Sequence, residues 1–460
     1  MFKSHKAGIA EKGYVFGWLR FSGQSDLSQT CILKEENGFF RVDVPFRWPK
    51  SEVSSWFLPT SGGGDLSGGL PDRIWIVDSD DGECYSLVGC RVASRSVRYV
   101  EGETCDAHGT MYPDYVVKGI GSANCAEIGA LRSSFRELYR WAGLNATEVR
   151  LESDGSCESF PDVRLAAPYV EIPGLFLLSK IASDPGMVFS GFGISESVEI
   201  HPYAYFETVF GEQIGLSKAV SIHRHLLNLF IIMYWRDISF ESIELFVDDD
   251  PKGEGAQYQH GQMLMCSELL SDKSYDGRPL FFGFEDVGPE GLKAWMDLRE
   301  VFSRPLDGVV SVARFSSFMT LESAVETLCT VLGEIIDLEC KAGGGGAPYA
   351  FREKMVNLME RLRSAWPHLG LPDPGDLPCE MTNTYNSVKH TESERGGLRR
   401  EDWLRPDNLY DVVLACRFLV AAWVAMKIGC PEEKVAWFFE HDVYRGLKER
   451  WPFFQARELQ

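Results

Sequence analysis

Apolar and polar positions along this chain repeat with a short period in the first half and a longer one in the second. From residue 13 to about 120 the segments GYVFGWLRF, FFRVDVPF, RIWIVD and CYSLVGC are short, aromatic and β-branched, and glycine, proline and aspartate separate them. That pattern predicts strands. SGGGDLSGG at 61–69 predicts a flexible loop. After the strand-like YVVKG comes Gly119-Ile120-Gly121, and the run from Ala126 to Trp141 reads as a helix. A glycine-rich turn before a helix invites a dinucleotide-binding reading, but Asn124 stands at the third glycine position and no βαβ unit with a ribose-binding acid follows. Residues 147–210 return to strands (VRLAAPYVEI, GLFLLSK, SVEIHPYAYFETVF), enough for two sheets or a sandwich. KAVSIHRHLLNLFIIMYW, Lys218 to Trp235, then predicts a helix with Leu226, Leu229, Ile232 and Met233 on one side, followed by the strand SIELFVDD.

From Pro289 the period becomes helical. Gly291 to Ser303, Phe318 to Cys340 and Phe351 to Trp366 each carry an apolar stripe. Pro406 and Asn408 introduce an apolar helix running to Lys427, Gly429 and Pro431 stop it, and Glu432 to Glu440 begin another. Between these helices lies TNTYNSVKHTESERGG, Thr382 to Gly397. Pro372, Pro374 and Pro378 predict a loop before it, and Gly396 and Gly397 an end after it, so the expected helix is short and mostly exposed. Asn386 and His390, four residues apart, share one face of such a helix and can address one ligand. The fold class is α+β: a β-rich part over 1–309, as one domain or two, and a helical bundle over 310–460.

Composition narrows the function classes. A formal net charge of −21 argues against a chain coated in nucleic-acid-binding surface, because that affinity comes largely from Lys and Arg displacing phosphate counterions. Most of the acidity falls before Val310, so a local basic surface in the last third is allowed. The twelve cysteines show no CxxC pair and the opening MFKSHKAGIAEKG is not an apolar signal, which together suggest a reduced, cytoplasmic protein. Cys105 and His108 in CDAH have a metal-compatible spacing, with Cys84 and Cys90 upstream, but no second short-spaced pair completes a four-ligand set. His223 and His225 fall on different helix faces and read as core or surface histidines rather than shared ligands. Val412 to Met426 is interrupted by Arg417 and is shorter than a bilayer span, so it predicts a buried helix and no membrane partner.

The order of long helix, second helix, proline-rich loop, Asn-x3-His and apolar helix ending in glycine resembles the HEPN superfamily, and within it the ApeA-like branch. Upstream, IGSANCAEIGALRSSFRELYRWAG resembles the end of the ApeA N-terminal domain and HRHLLNLFIIMYWRDISFESIELFVDD its helix-then-strand segment, while FSSFMTLESAVETL resembles the first HEPN helix. The resemblance implies a homodimeric, metal-independent ribonuclease without cofactor, acting in anti-phage defence on RNA, with tRNA the substrate associated with the ApeA group. It also implies a phage-derived trigger acting through the β-rich part. The family motif is arginine, a polar residue, three of any kind, then histidine. Asn386 and His390 match its last two fixed positions and are the implied catalytic residues, while Tyr385 stands where the arginine should be.

Metal-free RNA cleavage needs a base for the 2′-hydroxyl, an acid for the leaving oxygen and a cation on the phosphate. Two copies of His390 in a dimer would supply base and acid. The cation would come from Lys389, Arg395, Arg399 or Arg400, with Tyr385 available to stack on a base. The alternative is an inactive HEPN-fold sensor, or a module that binds RNA or protein, in which activity has gone with the arginine.

Overall fold

The computed structural model describes residues 13–23, 29–48, 52–57, 69–98, 105–121, 124–144, 147–153, 159–165, 168–184, 187–190, 197–200, 203–248, 258–264, 280–315, 318–346, 350–369, 371, 377–389 and 403–441. They form two compact units. The first holds residues 1–139, 144–223 and 239–274; the second holds 140–143, 224–238 and 275–460.

The first unit contains eighteen described strands: β1 (Tyr14–Phe21), β2 (Gln29–Glu36), β3 (Phe39–Trp48), β4 (Ile74–Asp78), β5 (Cys84–Val88), β6 (Arg91–Arg98), β7 (Cys105–Tyr112), β8 (Tyr115–Lys118), β9 (Glu127–Ser134), β10 (Thr147–Ser153), β11 (Ser159–Leu165), β12 (Tyr169–Glu171), β13 (Leu178–Asp184), β14 (Met187–Ser190), β15 (Ser197–Ile200), β16 (Tyr203–Gly215), β17 (Ser242–Asp248) and β18 (Tyr258–Met263). Fourteen of them make one sheet in the order β12-β13-β16-β9-β17-β18-β8-β5-β4-β1-β2-β3-β7-β6, while β10–β11 and β14–β15 are separate hairpins. The two-sheet or sandwich expectation is therefore corrected to a single large antiparallel sheet. Along β1 the side chains alternate: Val15, Leu19 and Phe21 are buried, with Tyr14, Phe16 and Trp18 on the other face. The buried set joins Cys31, Leu33, Val42, Val44, Ile76 and Met111 in one core. Gly109 lies against this core, where a Cβ would run into the Phe57 ring.

Ala126 to Trp141 also departs from expectation. It is β9 followed by a short helix, α1 (Arg136–Ala142). EIGALRSS contains good helix formers, but β9 is bonded on both sides, to β16 and β17, and ladder pairing overrides local propensity. No helix follows Gly121 directly, so the dinucleotide reading has no structural footing. Across the sheet, Lys180, Glu207, Arg132 and Glu244 stand directly opposite one another on β13, β16, β9 and β17. Their charges alternate and pair, with Lys180–Glu207 at 2.8 Å, Arg132–Glu207 at 2.6 Å and Arg132–Glu244 at 3.3 Å. Cross-strand pairing of this kind is the unit of sheet stabilisation.

The helix α2 (Leu216–Tyr234) falls where the apolar stripe predicts. Its residues up to His223 belong to the first unit and those from Arg224 to the second. In the first unit His223 is fully buried between Ser133 Oγ at 2.7 Å and Thr208 Oγ1 at 2.8 Å. In the second, His225 stacks on Trp295 with centroids 4.5 Å apart and its Nε2 meets the Trp295 carbonyl at 2.8 Å. Both are core histidines. The candidate pair Cys105 and His108 sits three residues apart on β7.

The second unit is helical: α3 (Phe284–Phe315), α4 (Leu321–Ala342), α5 (Phe351–Ala365), α6 (Leu377–Lys389), α7 (Pro406–Lys427) and α8 (Glu432–His441). α3 kinks at Gly288, whose φ of 61° suits glycine, and continues through Pro305 well past Ser303. A boundary at 309/310 would cut this helix; the helical unit takes up the chain from Tyr275. α7 is long and apolar enough to cross a membrane, but nearly all of it is buried by the chain's own fold, with Leu409 and Val412 through Ala425 inside. Its uniform apolarity thus gives no argument for a second copy. At its end, Glu339 of α4 is buried and accepts from Arg361 at 2.5 Å and from Trp423 Nε1 at 3.0 Å, and pairs with Lys427. One carboxylate thereby ties α4, α5 and α7.

Candidate functional site

α6 carries the described part of the predicted site. It begins at Leu377, earlier than the proline-rich pattern suggests, with Pro378 in its first turn. Proline is favoured there because a first-turn N–H has no intrahelical acceptor to lose. The hydroxyls of Thr382 and Ser387 turn back on the helix, donating to the Pro378 and Asn383 carbonyls at 2.6 and 2.8 Å. Leu377, Met381, Thr384 and Tyr385 are buried, and the helix packs on α4 and α5. The segment is thus a packed element of the bundle, which corrects the expectation of a mostly exposed helix.

Tyr385 is held from three sides. Its hydroxyl lies 3.1 Å from Thr330 Oγ1 on α4, its ring meets Phe351 of α5 with centroids 5.1 Å apart, and Lys389 Nζ donates to the hydroxyl at 3.3 Å. At 9 % exposure the ring is committed to the bundle and is not presented for stacking on a base. Lys389 reaches back one turn, its ammonium 5.4 Å from the centre of the Tyr385 ring. It is itself exposed. A cation therefore stands beside the position that the motif assigns to arginine, supplied from the last residue of α6. A bland account of Lys389 also exists, since a cation in the last turn complements the helix dipole. Asn386 is half-buried on the same turn. His390 directly follows the last residue of α6 and, with Arg395, Arg399 and Arg400, lies outside the described residues.

A second occurrence of the motif escaped the sequence reading. Arg363, Ser364 and, after three intervening residues, His368 have the same spacing as arginine, polar residue, x3, histidine. A scan for that spacing rather than for the Asn-x3-His pair finds it. His368 follows α5 and is 86 % exposed; its backbone N–H donates to Glu432 Oε1 at 2.6 Å and its Nδ1 lies 3.3 Å from Oε2. A carboxylate can fix an imidazole's tautomer for proton transfer. Arg363, however, donates to the Leu371 carbonyl at 3.0 Å and so ties the turn after α5. We read this cluster as the clasp between that turn and the start of α8. Among the described residues no group of three or more His, Cys, Asp or Glu side chains could hold a metal ion.

A family model described as ApeA N-terminal domain 1 matches residues 11–286, three-fifths of the chain. The match takes in the large sheet and α2 and stops before α4 and α6. No curated protein and no solved structure matches the chain.

Proposed function

The chain belongs to the ApeA family of anti-phage defence proteins, and from that premise we propose that its helical unit is a metal-independent endoribonuclease acting on RNA, with tRNA the favoured substrate, to arrest growth on infection. The observation that supports this is the placement of Lys389 beside Tyr385: the motif's arginine is missing, but a cation occupies its neighbourhood. In this reading His390 takes the 2′-hydroxyl proton, the oxygen attacks the adjacent phosphorus, and the 5′ oxygen leaves with a proton from His390 of a second copy. The products are a 2′,3′-cyclic phosphate and a 5′-hydroxyl. Lys389 stabilises the charge developing on the phosphate, and Asn386 orients the histidine or the phosphate. Arg395, Arg399 and Arg400 extend the cationic surface along the RNA. The protein acts in the cytoplasm as a homodimer, and a phage-derived trigger releases it.

The test expresses wild type and His390→Ala in bacteria and sequences the RNA ends that appear. Cleavage with wild type alone is the expected result. Lys389→Ala should slow cleavage by about 10²-fold, the scale for loss of one charge-stabilising donor. A second reading, an inactive sensor or binding module, is favoured by the burial of Tyr385 where the motif has an arginine. Equal RNA ends from wild type and His390→Ala, or no cleavage even in infected-cell extract, would select it.

A further inference from the structure

A hydroxyl inside a helix ordinarily bonds back to the carbonyl one turn earlier. Thr327, Thr382 and Ser387 do so, donating to the carbonyls of Ser323, Pro378 and Asn383 at 2.8, 2.6 and 2.8 Å. Thr330 reaches outward instead. It is exposed on α4, and its Oγ1 meets the Tyr385 hydroxyl of α6 at 3.1 Å. The same hydroxyl is the group on which Lys389 rests, so a residue of α4 touches the support of a cation that stands on α6.

Proton inventory gives this contact a direction. An ammonium has three donors and no lone pair, so at 3.3 Å Lys389 donates and the phenol oxygen accepts. The phenol keeps its own proton to donate, and Thr330 Oγ1 is in place to take it. A hydroxyl that accepts from a cation is polarised into a stronger donor, so the two bonds reinforce each other. Phe351 holds the ring from α5, with centroids 5.1 Å apart. A lysine on a flexible four-carbon stem has no fixed place of its own, and this chain supplies one. What the lysine rests on also decides what it can offer. Lys354, Lys427 and Lys434 of the same unit lie on the carboxylates of Asp337, Glu339 and Asp286, which cancel their charge. Among the described residues Lys389 rests on a neutral phenol and its ring face, 5.4 Å from the centroid. Such a support attracts the cation and leaves its charge for an anion.

We propose, resting on the ribonuclease reading above, that Thr330 is a positioning residue: through the Tyr385 hydroxyl it fixes where the Lys389 ammonium stands, and so how well the charge developing on the RNA phosphate is stabilised. Thr330 itself touches no phosphate and moves no proton in the reaction. Thr330→Val keeps its shape and its β-branched stem while removing the acceptor, which frees the phenol and lets the lysine swing out of register. Thr330→Ser keeps the acceptor.

Steady-state cleavage of bacterial tRNA by the full chain, with infected-cell extract present, tests it. Thr330→Val should lower kcat by about three- to tenfold, the scale of one hydrogen bond, with KM unchanged, and Thr330→Ser should restore it. Added to Lys389→Ala, the valine should cost nothing further, because a residue that acts through Lys389 then has nothing to position. The proposal is overturned if Thr330→Val cleaves as wild type does, or if its loss is the same with and without Lys389. Should circular dichroism show the valine variant unfolded, Tyr385→Phe, which removes the same hydroxyl bridge, replaces it in every comparison. A second readout needs no cleavage. After reductive methylation with a ¹³C label, the Lys389 methyl signal, identified by its loss in Lys389→Arg, lies beside the Tyr385 ring and should move toward the position of a free lysine in Thr330→Val but not in Thr330→Ser. If wild type cleaves no RNA the ribonuclease reading fails, and this signal decides alone: a shift upholds the placement of Lys389 by Thr330, and an unmoved signal overturns it.

Discussion

His223 shows how a single buried side chain ties stability to pH. Burial pushes its pKa down to about 3 and that of His225 to about 4. The unfolded chain, with histidine near its ordinary value of about 6.5, binds more protons than the folded chain over that interval, so stability is complete above about pH 6.5 and falls as pH drops toward 4. Each histidine should contribute a slope of roughly 1 kcal/mol per pH unit, and denaturant melts at pH 7 and pH 5 measure it. His223→Gln should flatten the slope. Gly109→Ala should destabilise by about 1–3 kcal/mol, the cost of overpacking against Phe57. The histidines were legible as members of an apolar helix, in its core or on its surface. Tyr385 was not: nothing in TNTYNSVKH says that Thr330 and Phe351, distant in sequence, close over it.

At the scale of elements, the helical stripes were readable because apolar residues recur every three to four positions. α4, α5 and α7 fall within a few residues of expectation. The failures share a cause in tertiary context. β9 reads as helix until its two ladder partners are known, α6 begins before the end of the proline-rich loop because Pro378 sits in its first turn, and α3 runs past the expected end at Ser303 with Pro305 accommodated inside it. The Glu339 junction gives the prediction at this scale. Glu339→Ala leaves Arg361 and Lys427 without their shared carboxylate and Trp423 without its acceptor, and should cost about 3 kcal/mol. Glu339→Gln, which keeps the acceptor for Trp423, should cost less. Urea unfolding of the full chain compares the two.

For the molecule as a whole, the α+β class was legible from the change of period, but the division of the chain was not. Sequence reading puts the helical part in one continuous stretch, whereas Arg140–Gly143 and Arg224–Ile238 also belong to the helical unit. There Trp141 packs on Phe230 and Phe284, and Trp295 on His225. A fragment starting at residue 310 lacks all of these and begins inside α3. Expressed alone, it should be insoluble or show the weak near-ultraviolet dichroism of a loosely packed core. A well-dispersed amide spectrum from that fragment would refute this.

The split of α2 also sets an order of events on the ribosome. His225 leaves the exit tunnel seventy residues ahead of its stacking partner Trp295. At roughly 5–20 residues per second, that is about four to fourteen seconds in which Leu226, Phe230, Ile231 and Met233 have no finished unit to enter. The nascent chain presents an apolar helix face during that wait, the kind of transiently exposed surface that holding chaperones cover. Slowing translation should lengthen the dependence, and speeding the arrival of α3 should shorten it.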